Sequence, residues 1–415
     1  MSLLKTSILS FIATSIKIVA GVVINKAIAV FVGSNGLALV GQFQDFIRLA
    51  MIAAQGGINA GVTKYTAEYS KDGTKIPLLF ATSARISLVS SFIVGGILII
   101  SPEGLSEFFL KSDEYQSIFR LFGFTIILFV FNNFLLSILN GLKEIKLWAI
   151  INITQSIYAL IFTTLLIFFF EVKGVLIALV TNQSIVFFVV LWMLKKHPTV
   201  RLEYFLGDYS RSEAKNLFKY AAMAVTTAIA VPVSHIAIRN HIVMNLGWEQ
   251  AGYWQGIWYI SSMYLTVVTT TLGIYYLPTL SQMQGKKDIL KEISSGLRLI
   301  VPIVVLISFV VFTLKDTIIS VLFTQEFLPM RELFLWQMVG NVLKIIAWLF
   351  SYVMLAQAMT KLYIGTEILF SISFVVLSLF FTDAFGLVGM SYSFALNYAI
   401  YLLVMVVLVK GNLTA

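Results

Sequence analysis

Nine basic residues stand inside stretches otherwise built from apolar side chains: Lys17, Lys26, Arg48, Arg85, Arg120, Lys219, Arg239, Arg298 and Lys344. A cation at the centre of a membrane helix costs at least about 2.5–3.5 kcal/mol, so each needs water, a counter-ion or an anionic ligand. Arg85, Arg120, Lys219 and Arg298 lie within about two turns of a segment end, where a long side chain snorkels to the interface. Lys17, Lys26, Arg48, Arg239 and Lys344 are harder to dismiss in this way, because of the residues around them.

The neighbours of these five are polar at helical spacing. Thr14, Lys17, Gly21 and Asn25 share one stripe, while Lys26 falls on the opposite side of the same helix. Gln44, Arg48, Gln55 and Asn59 make a second stripe, and Gln337, Asn341, Lys344 and Trp348 a third. His235 and Arg239 are four apart, after Pro232 and its expected kink. Polar stripes on several helices imply a shared aqueous cavity. The alternative is hydrogen bonding that holds helices together. Only Asp45 and Glu367 offer carboxylates at comparable depth. Cations in excess make a cavity that selects anions: phosphate, pyrophosphate or acidic sugars. The expected substrate-binding set is therefore Lys17, Lys26, Arg48, Arg239, Lys344, Gln44, Gln55, Asn59, Gln337 and Asn341. Asp45 and Glu367 are the candidates for ion coupling, and an Asp45–Arg48 pair is the structural alternative for the first.

Other chemistries lack their residues. There is no cysteine, which removes disulfides, thiolate metal sites and a thiol nucleophile. Of the three histidines, His235 and His241 are six apart, on opposite faces of a helix, and His197 falls in a loop. No metal site and no cofactor are expected. Phosphate-binding loops, zinc-protease and nucleophile-elbow motifs are also absent, so the chain is not expected to be an enzyme or its own ATPase.

The elements that carry these residues follow from composition. The chain has 415 residues, 59% hydrophobic and 12% charged, with a mean hydropathy of +0.92. Soluble domains carry roughly twice that charged fraction. Apolar windows of membrane-crossing length recur at about 6–32, 37–63, 78–101, 116–141, 147–170, 174–194, 217–242, 251–280, 293–314, 332–357, 363–382 and 385–409. The first has no cleavage pattern and reads as a retained helix. The predicted fold is an all-α polytopic membrane protein of twelve transmembrane helices. The net charge of +9 then reports orientation rather than nucleic acid. Of the 29 basic residues, sixteen fall on the side of the amino terminus and only Lys111, Lys173, Lys315 and Arg331 on the other. Both termini are expected in the cytoplasm.

The longest polar connection, about 195–216, separates six segments from six. It predicts an amino-terminal lobe over 1–200 and a carboxy-terminal lobe over 201–415. The halves look duplicated: Gly41 and Gln44 align with Gly252 and Gln255, and the fourth segment of each ends in a short basic turn, NGLKEIK at 140–146 and QAMTK at 357–361. An even helix count per unit gives parallel repeats about the membrane normal. Tyr253, Trp254, Trp258 and Tyr259 read as an interfacial aromatic belt, with sugar stacking as the alternative.

Several motifs together carry a family resemblance. The opening with Lys17 and Lys26, NAGVTKYTAEYS at 59–70, YYLPTLS at 275–281 and RELFLWQMVGNVLK at 331–344 resemble Wzx-type flippases of O-antigen and enterobacterial common antigen. These form the polysaccharide-transport branch of the multidrug/oligosaccharidyl-lipid/polysaccharide (MOP) exporter superfamily. The resemblance spans the whole chain. It implies a V-shaped inner-membrane protein of bacteria with two six-helix lobes. It also implies transfer of an undecaprenyl-pyrophosphate-linked oligosaccharide from the cytoplasmic to the periplasmic leaflet by alternating access, with H+ or Na+ as coupling ion. Membrane lipid is the surrounding partner, and polysaccharide polymerase or chain-length machinery are further ones. The sequence departs from the enterobacterial common antigen type at Asn341 and at Ser262 or Met263, where that type has acids. Two other readings compete: a drug or cation exporter of the same fold, which needs an acidic cavity, and a membrane glycan polymerase or ligase, which needs a large outer loop.

Overall fold

The computed structural model describes residues 3–70, 73–195, 197–272, 276, 279–280, 283, 285–357 and 359–412. Among them every regular element is helical. In order these are α1 (Leu3–Phe31), α2 (Gly33–Ala54), α3 (Asn59–Tyr69), α4 (Ile76–Ile100), α5 (Pro102–Leu110), α6 (Gln116–Gly141), α7 (Ile145–Leu194), α8 (Arg211–Leu246), α9 (Trp248–Thr271), α10 (Lys286–Thr313), α11 (Lys315–Leu322), α12 (Phe334–Ala356), α13 (Thr360–Phe385) and α14 (Val388–Asn412). Among the described residues nine helices are long and apolar enough to cross a membrane. Helices satisfy every backbone amide internally, which is what an apolar solvent demands.

One of the nine is long enough for two crossings. α7 has 50 residues, about 75 Å of straight helix against a hydrocarbon core near 30 Å. It reverses at Glu171, whose φ of 49° and ψ of −126° lie outside helical geometry. Gly174 permits the reversal, because a Cβ there would sit 1.9 Å from the Leu166 carbonyl oxygen. The Asn182 side chain then donates to Thr163 Oγ1 at 3.1 Å across the folded-back pair.

The same device recurs 215 residues later. Glu144 and Met359, the caps before α7 and α13, have identical φ/ψ of −76° and 58°. Each amide closes a bond five residues back, Glu144 to Leu139 at 3.0 Å and Met359 to Met354 at 2.8 Å. At the other end of α13, Gly389 takes the role of Gly174: its Cβ would lie 2.0 Å from the Phe381 oxygen. Thin sequence identity thus overlies shared backbone geometry.

Two compact units divide the chain: 1–32 with 40–232, and 33–39 with 233–415. The division falls at Pro232, inside α8, and not in the polar connection at 195–216. The reason is that the connection buries itself in the first unit. Phe205 stacks on Phe80 at 5.6 Å and meets Phe134 at 5.9 Å. Arg85 donates to the Gly207 carbonyl at 2.9 Å, the Ser210 amide to Thr82 Oγ1 at 3.0 Å, and the Tyr69 hydroxyl to Glu213 at 3.0 Å. Val200 and Leu217 join the core formed by Ile58, Val62, Phe134 and Ile138. Residues 33–39 belong with the second unit because Ser34 Oγ donates to Glu326 at 2.7 Å. The backbone of Ser34 also lies so close to Gly252 that a Cβ there would be 2.1 Å from its oxygen.

Candidate functional site

In the first unit the polar stripe of α2 keeps its helical register. Asp45 is buried and its Oδ1 accepts from Arg48 Nη1 at 3.0 Å, while the Arg48 side chain is 59% exposed. The pair foreseen as an alternative therefore forms, yet it occupies only one face of the guanidinium. Arg48 and Gln55 line a cavity of about 380 Å³ with Met51, Ala228 and Pro232. Asn59 donates to Gln55 Oε1 at 2.9 Å. α2 stops at Ala54, and Gly56 and Gly57 follow with φ of +64° and +66°, a conformation that favours glycine. A broken helix is tolerated at membrane depth where it lines a cavity. Gln44 is half-buried on α2. Lys17 is exposed on α1 and Lys26 half-buried, and neither lines this cavity.

The second unit holds the other cations in tighter surroundings. Arg239 on α8 is 1% exposed. It donates to Gln255 Oε1 at 2.6 Å and lies 5.3 Å from the Trp254 ring. Lys344 on α12 sits among four rings: Trp258 at 5.1 Å, Trp348 at 5.0 Å, Phe394 at 5.6 Å and Tyr398 at 5.0 Å. An ammonium over aromatic faces gains about 2 kcal/mol when desolvated. His235 packs edge-on against Trp258 at 4.3 Å and Trp254 at 5.4 Å, so one aromatic seam runs from Arg239 to Lys344. Glu367 accepts from the Tyr401 hydroxyl at 3.3 Å and acts electrostatically on Lys344.

A cavity of about 160 Å³ opens beside Lys344, walled by Trp258, Ser261, Ser262, Thr269, Asn341 and Trp348. Asn341 donates to Ser261 Oγ at 2.9 Å, and its Oδ1 is buried without a partner, as is Gln337 Nε2. Of the expected stripe of α12, Asn341, Lys344 and Trp348 line this cavity and Gln337 does not. The aromatic-belt expectation fails for Tyr253 and Trp254, each 2% exposed. Both side chains turn inward, Tyr253 donating to Glu249 one turn earlier and Trp254 covering Arg239 with its ring. Sequence reasoning missed Phe394 and Tyr398, which sit in an apolar run of α14. Nothing in such a run distinguishes a cage wall from a lipid-facing ring. YYLPTLS at 275–281 lies largely outside the described residues, as does Gly273. Among the described residues no three His, Asp or Glu side chains gather as a metal site would require.

The chain matches the model of the polysaccharide biosynthesis protein family over residues 3–284. It is 30% identical to the lipid III flippase of Escherichia coli (strain K12) over 401 residues, covering 97% of this chain and 96% of that one. The lipid III flippase of Shigella flexneri matches at the same identity and coverage. Among solved structures, an inward-facing multidrug-resistance MATE transporter of the MOP superfamily aligns with a TM-score of 0.80 at 14% identity, over 96% of this chain and 94% of that one. The lipid II flippase MurJ, in an inward closed conformation, aligns at 0.71 with 15% identity, over 98% and 87%. At such identities these two structures establish the fold alone.

Proposed function

The chain belongs to the polysaccharide biosynthesis protein family, and from that premise we propose that it is a transporter, a flippase for lipid-linked oligosaccharides. The cargo is an oligosaccharide on undecaprenyl pyrophosphate, carried from the cytoplasmic to the periplasmic leaflet of a bacterial inner membrane. The observation that carries this reading is the burial of two cations, Arg239 and Lys344, in a chain alike from end to end to a lipid III flippase. Buried cations select an anionic cargo, and membrane lipid can solvate the prenyl chain.

The proposed architecture has twelve crossings in two six-helix lobes with both termini cytoplasmic. The nine spans, the double crossing of α7, and α8 and α9 (36 and 24 residues long) supply that number. Alternating exposure of the site to the two leaflets moves the cargo. Lys17, Lys26, Arg48, Arg239 and Lys344 attract its anionic groups, and Gln44, Gln55, Asn59, Gln337 and Asn341 hydrate or hydrogen-bond the glycan. A potential negative inside opposes outward movement of an anion by about 2.3 kcal/mol per charge per 100 mV. The cavity cations neutralise part of that charge, and H+ or Na+ moving inward through Asp45 or Glu367 offsets the rest. Polymerase and chain-length proteins are the partners such a cargo implies.

The fold is shared with multidrug transporters, which makes drug or cation export the second reading. The sign of the buried charge opposes it. Translocation of a labelled undecaprenyl-pyrophosphate oligosaccharide in reconstituted vesicles is the test. Arg239→Ala and Lys344→Ala are expected to lower the rate at least tenfold; unchanged rates would remove the site. Equal rates after collapse of both proton and sodium gradients would remove coupling through Asp45 and Glu367.

A further inference from the structure

The cavity beside Lys344 presents an unusual set of unclaimed groups. Among the described residues no hydrogen-bond acceptor reaches the Lys344 ammonium, although the residue is only 8% exposed. It has three N–H donors to place. One turn before it, Asn341 is 0% exposed with an orphaned Oδ1. An unsatisfied buried polar group costs about 1–3 kcal/mol, so the orphaned Asn341 oxygen, beside an ammonium that no acceptor reaches, marks a place for a ligand. Exchanging the two ends of the carboxamide leaves its nitrogen orphaned instead, and a hydroxyl satisfies either end. On the α9 wall, Ser262 and Thr269 give their protons to the carbonyls of Tyr259 at 2.8 Å and Leu265 at 3.1 Å. Their oxygens remain acceptors. Trp258 and Trp348 complete the wall with apolar surface.

The ligand must therefore combine one anionic group with several hydroxyls and an apolar ring face. Charge number decides which anion. Pyrophosphate carries at least two charges and is held by several cations or by bidentate guanidinium groups. Only one ammonium lines this cavity, because the nearby guanidinium of Arg239 is committed to Gln255 and Trp254. One ammonium matches one carboxylate.

We propose that the cavity of Lys344, Asn341, Ser262 and Trp258 is a subsite for a sugar residue bearing a single carboxylate, a uronate-type ring, and not the seat of the pyrophosphate. The proposal rests on the oligosaccharide reading above. Lys344 donates to the carboxylate, Asn341 bonds a ring hydroxyl, Ser262 and Thr269 accept from others, and the indoles cover the C–H face. The subsite then discriminates among glycans.

The test uses the full-length protein in nanodiscs, with methyl glucuronide, mannuronide and galacturonide, the matching neutral methyl glycosides, and inorganic pyrophosphate as probes. Calorimetry and intrinsic tryptophan fluorescence report binding. At least one uronoside is expected to bind about tenfold or more tighter than its neutral counterpart, a difference near 1.4 kcal/mol, and to change the tryptophan emission. Lys344→Gln removes that preference, and pyrophosphate does not displace the uronoside. Equal binding of uronoside and glycoside overturns the subsite, as does displacement by pyrophosphate or the absence of binding by every uronoside. The wild-type comparison does not depend on how any variant folds. Vesicle assays separate this failure from that of the wider reading: wild type that moves no glycolipid sinks the flippase, whereas wild type that moves uronate-bearing and neutral glycolipids equally, or a preference for the uronate that survives Lys344→Gln, sinks only the subsite.

Discussion

Replacing Lys344 by methionine should raise stability or leave it unchanged while transport fails. The ammonium costs at least about 2.5–3.5 kcal/mol at helix-centre depth. Four rings at 5.0–5.6 Å return part of this, of order 2 kcal/mol for a desolvated cation–π site. Methionine keeps the length of the side chain and gains sulfur–aromatic contacts of about 0.3–1.5 kcal/mol in the same cage. Against that gain, Glu367 loses its cationic neighbour, a loss of about 1 kcal/mol at intermediate dielectric. The net change lies between about zero and +2 kcal/mol. Thermal unfolding in detergent, followed by tryptophan fluorescence, measures the first quantity, and glycolipid translocation in vesicles the second. Adding Glu367→Gln should recover the stability lost at the carboxylate without restoring transport. A variant that melts well below wild type yet transports normally would show that Lys344 is a structural prop, and the energetic reasoning would be wrong. Functional sites hold residues that stability alone would replace.

Three further outcomes follow from local geometry. In the polar connection at 195–216, the Nδ1 of His197 accepts from the amides of Thr199 at 3.3 Å and Val200 at 3.2 Å. Burial lowers its pKa below 6.5, against the opposing pull of Glu144. A depressed pKa contributes stability above 6.5 that is lost as pH falls through the folded value. Protection factors at Thr199 and Val200, which divide out the intrinsic base-catalysed exchange rate, should therefore fall below pH 6.5 in wild type, and lose that fall in His197→Ala. Gly252→Ala should lower the melting temperature sharply, because its Cβ would meet backbone 2.1 Å away, whereas Gly365→Ala on α13 meets nothing within 4 Å and should stabilise by about 0.5–1 kcal/mol. Arg239→Lys should not rescue Arg239→Ala in the transport assay, since a lysine cannot both bond Gln255 and stack on Trp254 as the guanidinium does.

Hydropathy made the helices legible, and even the reversal within α7 was foreseen as two segments, because a 20-residue apolar window has one answer in lipid. The boundary between compact units was not. A polar, charged connection looks like a free linker, but Tyr204, Phe205 and Leu217 within or beside it pack into the first unit's core. Polarity averaged over 20 residues hides the few apolar side chains that anchor the stretch. Residues 33–39 escaped for a different reason: Ser34 and Gly252 are small residues whose role is to let backbones touch, and hydropathy is blind to that.

The candidate site divides along the same line. Helical periodicity aligned Gln337, Asn341, Lys344 and Trp348, and the structure sets Asn341, Lys344 and Trp348 around one cavity. Periodicity fixes what shares a face of one helix. It is silent about what that face meets on another, so Phe394 and Tyr398 were invisible and Trp258 was read as part of an interfacial belt, with sugar stacking as the alternative. The difference alters the chemistry and not merely the list. A lysine on a polar stripe is a generic anion attractor, whereas a lysine enclosed by four rings has little water to share and one charge to offer. Enclosure turns attraction into selection, because a low-dielectric cage penalises any ligand whose charge it cannot match. The few cations inside the apolar segments set the sign of the cargo; the aromatic walls around Lys344 set how many charges it brings to that cavity.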